Sequence, residues 1–86
     1  MITIGFGNNE ITCKYYKNQQ MAYLRAVADA HGEGKHDDAI FYTKESVKFA
    51  YKFEKQCVGI VSDSEIKNAI AYREIMEARL KQWNKN

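Results

Sequence analysis

Proline is absent from this chain of 86 residues. That excludes cis-proline turns and proline-rich docking segments. Cysteine is scarce: only Cys13 and Cys57 occur. Their spacing matches no zinc or redox motif, so they are expected to be two free, buried thiols in a reducing cytosol. No window approaches the roughly 18 apolar residues of a membrane span. The opening MITIGFGNNE has neither a basic stretch nor a long apolar run, so a signal peptide is not expected. No charge sign dominates. Thirteen basic and 11 acidic residues give a net charge of +2, too little to imply a polyanion partner. The small positive excess sits in the second half of the chain. Residues 1–38 carry net −1, residues 39–61 net +2 and residues 62–86 net +1.

What is present suits one small domain over residues 1–86. The apolar share is 45% and the charged share 28%, and four Phe, six Tyr and one Trp are available to pack, so disorder is not the expected state. Ile2, Ile4 and Phe6 alternate with small residues. Gly7-Asn8-Asn9 is turn chemistry, and Ile11, Cys13 and Tyr15 alternate again, which predicts an N-terminal β-hairpin. From an N-cap at Asn18, the residues Met21, Leu24, Val27, Ala28 and His31 follow a helical period, with Gly32 as the stop. Residues 32–38 read as a loop. Residues 39–42 and 57–61 are short apolar runs that read as strands.

The stretch SVKFAYKFEK (46–55) fits both periods. As a strand it would set Val47, Phe49, Tyr51 and Phe53 on one face; as a helix it would set Lys48, Lys52 and Lys55 on one side. Between Asp38 and Gly59 there is no Gly, Pro, Asn or Asp to turn a strand back, so the helix is favoured. Ser62-Asp-Ser-Glu65 is a capping box. After it Ile66, Ala69, Ile70, Met76, Leu80 and Trp83 line one face of a long amphipathic C-terminal helix, with Glu77 and Lys81 as an i,i+4 pair. The expected order is ββ-α-β-α-β-α: an α+β domain with a small mixed sheet packed by about three helices.

No motif completes a catalytic constellation. KFAYKF (48–53) resembles the RNP1 signature of RRM domains but lacks its glycine, and Lys52 stands where an aliphatic belongs. Gly5-Phe-Gly7 and Gly32-Glu-Gly34 do not complete a dinucleotide fingerprint. His31, Glu33, His36, Asp37 and Asp38 cluster within a few residues, but at the spacing of no named metal motif. Either cysteine could in principle pair with His31 or His36, yet both sit in apolar contexts where thiols are inert. No enzyme activity, cofactor or metal is expected.

The leading expectation is a small cytosolic protein-binding module, a regulator or inhibitor that occludes a macromolecular partner. Size and composition would suit a phage or mobile-element product acting on a host protein. Six tyrosines are too many for one small core, and Tyr and Trp at a surface anchor interfaces. The expected contacts are Tyr16, Tyr72, Ile75 and Trp83. Glu33, Asp37 and Asp38 would form an acidic loop able to meet a nucleic-acid-binding protein. Ile75 and Ala71 fall off the main stripe of the last helix, so a homodimer through that helix is also considered. The alternative is a nucleic-acid-binding domain using Lys48, Lys52 and Lys55, with Arg73 and Arg79.

Overall fold

A computed structural model describes residues 10–84. They form three helices: α1 (Glu10–Gly32), α2 (His36–Gln56) and α3 (Asp63–Asn84). No strand occurs among the described residues; an isolated bridge joins Val58 and Val61. The expected α+β fold is therefore corrected to a helical bundle. The first arm of the expected hairpin lies outside the described residues, and its second arm, residues 11–15, is helical. Residues 39–42 are the first turns of α2, and residues 57–61 are a turn. The helical reading of 46–55 holds, inside a longer helix than expected.

Each helix carries core positions at alternating steps of three and four, the spacing that keeps one seam facing its neighbours. In α1 these are Cys13, Tyr16, Gln20, Tyr23, Val27 and Ala30. In α2 they are Ala39, Thr43, Ser46, Ala50 and Phe53, with Cys57 continuing the row at the C-cap. In α3 they are Ile66, Ala69, Arg73, Met76, Leu80 and Trp83. Most of these side chains are buried and the rest are half-buried. The α2 seam is built of small residues apart from Phe53, and α2 lies central, packed against both α1 and α3. α1 and α2 run antiparallel, since Cys13 meets Cys57 and Tyr23 meets Tyr42. α2 and α3 are antiparallel as well, with Glu54 against Arg73 and Tyr51 against Glu77.

The seam buries three polar side chains, Gln20, Thr43 and Ser46. Thr43 donates to the Ala39 carbonyl at 2.7 Å. Ser46 donates to the Gln20 carbonyl, and the Gln20 amide donates to the Ala69 carbonyl at 3.1 Å. Gln20 thus ties α1 to α3, while its own Oε1 has no hydrogen-bond partner among the described residues.

Glycine chemistry closes both turns. Lys35 N donates to the Ala30 carbonyl and Gly34 N to the His31 carbonyl. This is a Schellman end with Gly34 at the left-handed position, φ 74°. The stop is therefore Gly34, two residues later than the Gly32 expected from sequence. Ile60 N donates to the Cys57 carbonyl at 3.0 Å. Gly59, at φ 86°, takes the position of that turn which requires positive φ. Ser62 caps α3 as expected: Glu65 N donates to Ser62 Oγ, and the Ser62 hydroxyl, in place of its backbone N–H, donates to Glu65 Oε2, both at 3.3 Å. No helix among the described residues is long and apolar enough to cross a membrane.

Candidate functional site

The helices set out four places where chemistry or recognition could concentrate. At one end, the α1–α2 turn meets the last turn of α3. The Trp83 ring lies 5.7 Å from the His31 ring and 5.5 Å from the His36 ring, centroid to centroid. Trp83 is half-buried there, so it docks its own helix before it can anchor anything else. Around it Glu33, Asp37 and Asp38 are exposed, with Glu33 paired to Lys35 at 3.2 Å. The contact to Glu33 raises the Lys35 pKa above its ordinary value. Residues 29–38 hold four carboxylates against Lys35, an acidic pole. The His/Asp/Glu cluster seen in the sequence does not converge. Among the described residues no three His, Cys, Asp or Glu side chains could hold a metal.

Along the α2–α3 seam, Arg73 is the hub. Its guanidinium donates through Nε and Nη2 to both Glu54 oxygens, and through Nη1 to Glu77 at 2.6 Å. It also stacks over the Tyr51 ring at 4.3 Å. The Tyr51 hydroxyl donates to Glu77 at 2.7 Å. The Glu54 hydrogen bonds above all hold the Arg73 pKa above its ordinary value. The hydrogen bond to Glu77 raises that of Tyr51. Arg73 is thus engaged inside the bundle, away from the lysines with which the sequence grouped it. Glu77 goes to Arg73 and Tyr51, where the sequence suggested Lys81.

At the far end the structure overturns the expectation of free thiols. Cys13 and Cys57 form a disulfide, with Cα atoms 5.9 Å apart and both residues buried. The bridge packs with Phe53 and Ala69, and Tyr16, Val61 and Ile66 lean on it. Beside it opens a cleft of about 430 Å³, floored by Phe53 and Val61 and rimmed by Ile11, Ile60, Lys14 and Lys17. Cys13 lines the cleft, but its sulfur is bonded. Neither histidine is near, so the thiol–imidazole pairing weighed from sequence is not assembled.

Two outward helix faces complete the picture. On α3, Tyr72 is 42% and Ile75 49% exposed, with Ala71 and Ala78 also exposed beside them. Asn68, Arg79 and Gln82 extend this face at both ends. On α2, Lys44, Lys48, Lys52 and Lys55 are all exposed along the back of the helix. Tyr16 is half-buried in the α1–α2 seam next to this face. Its ring touches Phe49 and its hydroxyl donates to Gln56. Of the residues expected to bind a partner, the structure groups Tyr72 with Ile75, and Trp83 with Glu33, Asp37 and Asp38. Tyr16 stands apart from both groups.

No family model, curated protein or solved structure matches this chain.

Sequence reasoning missed the disulfide, the Gln20 layer and the Arg73 hub. The signal for the last two was present: the three-four spacing runs straight through Gln20 and Arg73. Gln20 was passed over because it is polar, and Arg73 was grouped with the surface lysines for the same reason.

Proposed function

We propose that this chain is a non-enzymatic protein-binding module that docks a partner protein on the outer face of α3 and occludes that partner's surface. The observation that carries the reading is the pair Tyr72 and Ile75, large, exposed and one turn apart on a helix whose opposite face is already packed. Alanines beside them allow close approach of a partner backbone, and the flanking Asn68, Arg79 and Gln82 provide a polar rim. An apolar centre within a polar rim is the anatomy of a protein interface. The acidic pole at Glu33, Asp37 and Asp38 would add a salt-sensitive contact to a basic partner.

The disulfide removes the free-thiol basis on which a cytosolic placement was expected. The bridged sulfurs belong to residues 1% and 0% exposed, so reductants reach them only when the bundle opens. An oxidising compartment would favour the bridge outright.

The test is a tagged pull-down after nuclease treatment, comparing the wild type with Ile75→Asp. A stoichiometric protein retained by the wild type and lost by the variant supports the reading. Equal retention by both places any binding elsewhere and refutes the α3 face. Light scattering in parallel shows whether the occupant is a second copy.

A further inference from the structure

The charges of this chain are sorted by the fold far more than a net charge of +2 suggests. The bodies of α1 and α2, residues 11–28 and 39–57, hold seven basic residues and only two carboxylates, Glu45 and Glu54. Glu54 is neutralised by Arg73 from α3. The excess is balanced at the acidic turn 29–38 rather than locally.

Four of these cations form a row. Lys44, Lys48, Lys52 and Lys55 follow the helical period along the back of α2, spanning about 16 Å at the helical rise. Among the described residues only Lys48 has a carboxylate partner, Glu45 at 3.1 Å. The ammonium groups of Lys48 and Lys52 lie over the Phe49 ring at 5.6 and 5.4 Å, and Lys52 also lies 5.8 Å from the Tyr16 ring centre. Exposed aromatic rings stand beside the row. Phe41, 54% exposed, extends it one turn toward the acidic pole. Tyr15, 52% exposed, flanks it from α1 with its ring edge-on to Phe49 at 5.9 Å.

From this juxtaposition we infer that the outer face of α2 binds single-stranded nucleic acid, phosphates on the lysine row and bases against Tyr15 and Phe41. Cations alone would suit any acidic surface. Exposed rings next to a row of ammonium groups, three of the four without a carboxylate partner among the described residues, are the combination that single strands use, since every base offers a π face. The face carries no arginine or amide row suited to base edges, so the binding is sequence-tolerant. This inference does not rest on the protein-binding reading, because the two surfaces lie on different helices.

The experiment is fluorescence anisotropy of a labelled oligothymidylate titrated with the full chain. Four phosphate contacts predict a roughly 50-fold loss of affinity between about 50 and 200 mM salt. The double variant Lys48→Glu/Lys52→Glu, both residues exposed, should abolish binding with its helical circular dichroism unchanged. Tyr15→Ala/Phe41→Ala should weaken binding while leaving the salt slope as it was, a separation that a purely electrostatic surface would not show. Binding that survives the charge reversal overturns the inference. So does failure of the oligonucleotide where polyglutamate binds, because that outcome assigns the row to an acidic protein.

Discussion

Reduction of the Cys13–Cys57 bridge is the most informative perturbation of this fold. The bridge joins residues 44 apart in sequence and ties the first turns of α1 to the end of α2. Removing a cross-link over a loop of that length restores conformational entropy to the unfolded chain. Loop-closure entropy puts the cost at about 4 kcal/mol near room temperature. A chain of this size is expected to have a total stability of roughly 4–13 kcal/mol. The bridge therefore supplies from a third to nearly all of it. For a domain of this length such a loss lowers Tm by roughly 15–30 °C. Two versions of the experiment separate link from packing. Reduced wild type keeps both sulfurs in place and reports the cross-link alone. Cys13→Ala/Cys57→Ala also removes buried sulfur beside Phe53 and should cost more. Thermal and urea melts followed by helical circular dichroism measure both. The urea slope should rise on reduction, because the unlinked chain exposes more surface when unfolded. Oxidised and reduced protein melting within a few degrees of each other would refute the reasoning. So would alkylation of both thiols in the native protein, since the bridge would then be absent.

Three further outcomes follow from the polar contacts of the bundle. Gln20→Met keeps the volume and removes the unpartnered Oε1, so it should be neutral or stabilising by about 1 kcal/mol in urea melts; a large destabilisation would show that the amide bond to Ala69 fixes the helix arrangement. Arg73→Met leaves Glu54 partly buried without its cation and should cost roughly 1.5–3 kcal/mol, with a double-mutant cycle against Glu54→Gln recovering part of the loss. Tyr51 has its pKa raised by the hydrogen bond to Glu77. A raised folded pKa means that this contact contributes fully below the unfolded value, about pH 10, and is lost as pH rises through the folded one. Ultraviolet titration of the tyrosines should show one late-ionising group that disappears in Tyr51→Phe and moves earlier in Glu77→Gln.

The local sequence of this protein determined where helix could start, continue and stop. Residues 39–56 contain no glycine, proline, asparagine or aspartate, and that alone carries a helix through SVKFAYKFEK. The Ser62–Glu65 box started α3 where its hydroxyl and carboxylate dictate. The placement of Ile75 and Ala71 off the main stripe of α3 was also legible from their angular position, and both are exposed.

Tertiary structure decided the rest. Residues 11–15 alternate like a strand, and five residues of alternation satisfy either period. Only Cys13 packing on Cys57, with Gln20 and Val27 continuing the same seam, resolves them as helix. The four apolar residues 39–42 were equally ambiguous until α2 ran unbroken from them. Nothing in the spacing of the two cysteines pairs them; the antiparallel course of α1 and α2 brings their Cα atoms within bridging distance. Gln20 and Arg73 looked like surface residues because a polar side chain is buried only where a partner meets it. Those partners, the Ala69 carbonyl and Glu54, lie on other helices. Sequence specifies what each segment can become, whereas burial of a polar group depends on what stands across from it after folding.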